Sequence, residues 1–81
     1  MDNISVKEII YVMSLLNNTK TPHYVFLDLN DILDVLKTQY TFNHKDSIYM
    51  IIFQNGEQMP VVFDEYNLDK WNKFHIDNTS K

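Results

Sequence analysis

The chain has 81 residues, 44% of them apolar, with one Trp, five Tyr and five Phe, which is one small domain near the size at which a single core is only marginally stabilising. With no cysteine it builds neither a disulfide framework nor a thiolate metal site. A net charge of −4, with no arginine and seven scattered lysines, leaves out both the basic stripe of a nucleic-acid binder and the bidentate fork that reads guanine and phosphate.

In chain order, Ser5, Val6, Lys7 and Glu8 have the form of a capping box. Behind it Val6, Ile9, Ile10, Met13 and Leu16 recur at helical spacing, so a helix is predicted over 5–17. The polar run 17–22, ending in Pro22, breaks it. Residues 23–29 (HYVFLDL) are short and rich in strand formers, which predicts a strand. Asp28 or Asn30 can cap a second helix over 31–40, with Leu29, Ile32, Leu33, Leu36 and Tyr40 as its stripe. A loop over 41–46 follows.

Residues 47–64 are two apolar runs joined by Asn55-Gly56, which contains the only glycine. Asn-Gly between apolar runs is a strong hairpin signal, because both central residues of a type I′ turn take positive φ. A two-residue turn sets Gln54 against Glu57, Ile52 against Met59, Met50 against Val61 and Ile48 against Phe63. Tyr49, Ile51, Phe53, Pro60 and Val62 then share the other face. Pro60 marks the second hairpin strand as an edge, leaving the first one central, with 23–29 on its other side. Asp64 caps a third helix over 65–75, with Leu68, Trp71, Phe74 and His75 inward, and 77–81 is a frayed polar tail. The expected fold is a single α+β domain over 1–81, a small three-stranded sheet packed by three helices in the order α-β-α-β-β-α.

Candidate chemistry is sparse. His23, His44 and His75 are too far apart in sequence for a local metal motif, and no serine sits in a nucleophile-elbow context. Asp28, Asp31 and Asp34 recur every three residues and could gather a divalent cation. Acids favoured by a helix N-terminus are the plainer explanation. Glu57, Asp64, Glu65 and Asp69 form a second acidic group, which is either a solvated face or a surface offered to a basic groove. Tyr49, Phe53, Tyr66, Trp71 and Phe74 suggest a base-stacking platform, but without interleaved cations; core packing accounts for them more simply, as it does for Met13, Met50 and Met59.

What these exclusions leave is a non-enzymatic protein–protein interaction module with no cofactor and no metal. Its expected contact surface is Tyr49, Ile51, Phe53 and Val62, rimmed by Glu57, Asp64 and Glu65. The partner is another protein, or a second copy in a homodimer. The alternatives are a nucleic-acid accessory protein and an acidic inhibitor that imitates nucleic acid. Abundant Asn, Ile, Lys, Tyr and Phe with no alanine point to an AT-rich genome and, by association, to a phage or mobile element. The N-terminus lacks the layout of a secretory signal, and no apolar run reaches the roughly 18 residues of a membrane span, so the expected setting is the cytoplasm.

Overall fold

The computed structural model describes residues 8–16 and 23–79. Five strands form one antiparallel sheet: β1 (Ile9–Ser14), β2 (His23–Asp28), β3 (Ile32–Phe42), β4 (Asp46–Phe53) and β5 (Gln58–Val62), followed by one helix, α1 (Glu65–Thr79). The spatial order is β2-β1-β5-β4-β3. The expected three-stranded sheet with three helices is therefore wrong. Among the described residues, both regions predicted to be the first two helices contain strands. The proposed Ser5 cap and the 17–22 breaker lie outside the described residues.

Two of these differences have a local cause. In β1 the buried set is Ile10, Val12 and Ser14, a period of two that a polar Ser14 obscures and that Ile9, Ile10 and Met13 also fit at helical spacing. In β3 the register shifts between Ile32 and Asp34 and again between Lys37 and Thr41, so irregularities hide its alternation. Asp28 does cap, as expected, but it caps a 3-10 turn over Leu29–Asp31: its Oδ1 accepts the Asn30 N–H at 2.9 Å.

β2 and β3 are opposite edges of the sheet, yet only the three residues of this turn separate them. In a flat five-stranded sheet the edges would stand about 19 Å apart. The four steps from Asp28 to Ile32 span at most about 14 Å. The sheet must therefore curl, and its inner face closes around the core of Ile10, Val12, Leu29, Ile32, Ile51, Val61, Phe63 and Trp71.

The Asn55-Gly56 hairpin forms, with a different turn. Gly56 alone of the two has positive φ, at 91°. The Phe53 C=O accepts the Gly56 N–H at 2.9 Å, and the Phe53 N–H donates to the Glu57 C=O at 2.8 Å. This is a three-residue loop closed by a left-handed glycine, and Asn55 Oδ1 braces it by accepting the Glu57 N–H at 2.9 Å. Two consecutive positive φ values occur instead at Asn43 and His44, 55° and 58°, in the turn between β3 and β4.

The extra loop residue shifts the register by one, pairing Met50 with Pro60 and Tyr49 with Val61. Such a slip moves every β5 side chain to the opposite face. Tyr49, Ile51 and Phe53 thus share the inner face with Met59 and Val61, while Val62 points outward with Ile48 and Met50. Nor is β5 an edge, since β1 pairs with it through Met13–Val62 and Ser14–Val61. Pro60 is tolerated there because that short pairing is ending: its C=O accepts the Leu15 N–H at 2.9 Å, which also shows that its proton-less nitrogen faces β1 rather than β4. β4 is central, as expected, but its other neighbour is β3 rather than β2.

Asp64 caps α1 as expected, Oδ1 accepting the Asn67 N–H at 2.7 Å. The helix runs on to Thr79, beyond the predicted end at His75. Where β5 gives way to α1, β1 loses its strand partner, and the helix replaces it. Buried Asn67 reads the Tyr11 backbone twice, Oδ1 accepting the N–H at 3.2 Å and Nδ2 donating to the C=O at 2.9 Å. Lys70 Nζ donates to the Ile9 C=O at 2.7 Å.

Asn67→Ala leaves two backbone groups of Tyr11 without their partner and is expected to cost about 2 kcal/mol in urea unfolding. The amide of Tyr11 should then exchange faster with solvent while that of Val12, paired with Val25, keeps its protection; equal protection at Tyr11 in both proteins would refute the clamp. At Gly56 a Cβ meets open space but the φ is strained for any side chain, so Gly56→Val should lose about 1–2 kcal/mol and Gly56→Asn less, measured by the same unfolding.

Candidate functional site

The seven residues expected to form a contact surface do not share one. Ile51 is fully buried, and Tyr49 and Phe53 pack against the core, with the Tyr49 ring edge-on to Phe63 at 5.5 Å. Val62 stands on the opposite face. Glu57, Asp64 and Glu65 are exposed, but they lie apart in the fold, at the β4–β5 loop and the start of α1. The structure does bring Phe53 and Glu57 together, in an open depression at the hairpin tip that Asp31 and Met59 also line.

The other candidates disperse as well. Asp28 is committed to its 3-10 cap and Asp34 Oδ1 accepts the Val35 N–H at 2.8 Å. Among the described residues no three His, Cys, Asp or Glu side chains come together as a metal site. Trp71, the centre of the imagined base-stacking platform, is buried and stacks on His75 at 5.0 Å. Tyr66, from the same set, is exposed on α1, whereas Tyr49 and Phe53 pack against the core.

What the fold gathers instead lies on the outer face of the sheet. β1 pairs Tyr11 with Phe26 and Met13 with Tyr24, so residues that alternate with the buried Ile10 and Val12 point away from the core. Tyr11 lies 4.4 Å from the Phe26 ring and 5.2 Å from the Tyr24 ring, stacked on the latter. Tyr24 is 55% exposed and Phe26 is 72% exposed. Beside them runs a shallow groove lined by Tyr11, Met13, Tyr24, Asp46, Val62, Phe63 and Asp64. The apolar surface continues across Val62, Ile48, Met50 and Leu36, which the pairings of β1, β5, β4 and β3 set side by side.

Stacked rings present flat, apolar faces with tyrosine hydroxyls at their tips, the kind of residue that supplies large contact area at small entropic cost. The signal for Tyr24 and Phe26 is in the sequence, in their alternation with Val25 and Leu27. Tyr11 carries no such signal until its segment is known to be a strand.

Compared with known proteins, the chain matches no family model, no curated protein and no solved structure. Among the described residues, no helix is long and apolar enough to cross a membrane.

If the outer aromatics serve no packing role, Phe26→Ser should change unfolding free energy by less than about 1 kcal/mol, as exposed substitutions do. Ile51→Ala should cost about 2–5 kcal/mol, as buried truncations do. A Phe26→Ser loss as large as that of Ile51→Ala would make the aromatic stack part of the core.

Proposed function

We propose that this protein is a small, non-enzymatic interaction module that binds another protein through the outer face of its sheet and so modulates it, in the cytoplasm of a host carrying a phage or mobile element. The observation that carries this reading is the exposed stack of Tyr11, Tyr24 and Phe26 on a face no other part of the described chain covers. A contiguous apolar patch on a small protein marks an interaction surface more often than an accident of composition. The inner face, with Tyr49, Ile51 and Phe53, is occupied by α1 and the core. This reading sets the interface on the face opposite to the one predicted from the two-residue turn.

Affinity capture from the native host with identification by mass spectrometry tests the proposal. The bait is the wild-type chain beside a Tyr24→Ser/Phe26→Ser variant shown by circular dichroism to be folded. One protein retained by the wild type and lost by the variant is the expected outcome. Retention that ignores both substitutions, or no specific protein on either bait, overturns it.

A further inference from the structure

Building on the outer-face reading, we infer that the surface takes a lysine- or arginine-rich segment of the partner protein. The stack supplies the π faces: Tyr11 lies between Tyr24 and Phe26, 5.2 Å and 4.4 Å from their centroids, so its own faces are covered and the open ones belong to the exposed rings of Tyr24 and Phe26. The face of an aromatic ring is electronegative and attracts an ammonium or guanidinium group laid over it.

Carboxylates stand at both ends of these rings. Asp28, paired with Ile9, follows Phe26 on the same face of β2. At the other end Asp46 and Asp64 line the groove with Tyr11 and Tyr24. Asp28 and Asp64 are held in place by their capping bonds to Asn30 and Asn67, and Asp46 is exposed. The only lysine in the described strands, Lys37, pairs with Tyr49 and so belongs to the inner-face register.

A second copy is a poor occupant of this surface. Face to face, it would set the acids of one copy against those of the other in a chain of net charge −4 whose seven lysines are scattered rather than gathered in one segment. Electrostatic complementarity selects a cationic partner and speeds its encounter.

The test is a nuclear magnetic resonance titration of the full chain with an octapeptide of alternating arginine and serine, and with a glutamate-serine octapeptide as control. Shifts concentrated at Tyr11, Tyr24, Phe26 and Val62, seen with the cationic peptide alone and weakened by added salt, are expected. Phe26→Ser should raise the midpoint about two- to five-fold, and Asp46→Asn should do so by about two- to five-fold. Shifts spread evenly over Glu57, Glu65 and Asp69, no shifts, or midpoints indifferent to both substitutions overturn the inference. So does sedimentation that shows a dimer abolished by Phe26→Ser, because the occupant is then a second copy. If the peptide fails while host capture still depends on Tyr24 and Phe26, the cationic assignment falls and the outer-face reading stands. If capture is also indifferent, both fall.

Discussion

The fold depends on how β1 is held after β5 leaves it. Only Met13 and Ser14 pair with β5, so the earlier half of β1 would present unpaired backbone groups next to the core. A buried, unpaired amide or carbonyl costs about 1–3 kcal/mol. Asn67 removes two such costs with one side chain, because a carboxamide offers an acceptor and a donor in the same geometry as a strand's peptide group. Asp64 fixes that carboxamide in turn, accepting from Asn67 Nδ2 at 2.9 and 3.0 Å while it caps the helix. The start of α1 is thereby tied to the middle of β1, and Leu68, Trp71 and Phe74 follow at helical spacing onto the inner face.

Once the helix is tied there, inside and outside are decided by two further constraints. The three-residue connection from β2 to β3 forces the sheet to curl, so that one face becomes a closed interior. The three-residue loop at Gly56 then determines which β5 side chains enter it. Val61, fully buried beside Ile51, and Phe63 reach the core because the loop is one residue longer than a tight two-residue turn. The glycine is needed for its backbone conformation, since a Cβ at that position would meet only open space.

The local signals that survived in the structure are those that need no distant partner: the Asp64 cap and its helix, the strand formers at 23–28, and the turn at Asn55-Gly56. The segments that misled are those whose pattern suits two periods. Ile9, Ile10 and Met13 lie on one face of a helix as readily as Ile10 and Val12 lie on one face of a strand, and only pairing with β2 and β5 separates the two. In β3 the stripe of Ile32, Leu33 and Leu36 imitates a helix because a register shift interrupts the strand there. Asn67 could not be foreseen, since its partner is 56 residues away and an asparagine near a helix start is unremarkable by itself. The candidate surface inherits this difficulty: Tyr24 and Phe26 are marked by alternation, but the ring that joins them belongs to a segment whose class the sequence leaves ambiguous.

β4 is apolar on both faces, with Tyr49, Ile51 and Phe53 inward and Ile48, Met50 and Ile52 outward, a pattern suited to a sheet covered on both sides. Within the described residues there is one helix, and it covers one side. The outer aliphatic residues are half-buried by their neighbours in the curled sheet, but the rings on β1 and β2 are not. β2 is moreover an edge strand that carries Tyr24 and Phe26 without a lysine or proline to discourage strangers. Threonine at those two positions would suit the strand as well and would lower the risk of aggregation. The cross-strand stacking of Tyr11 on Tyr24 and Phe26 returns only about 0.2–1 kcal/mol per pair, so fold stability alone is a weak reason for aromatic residues on an exposed edge strand, and the proposed contact surface supplies a stronger one.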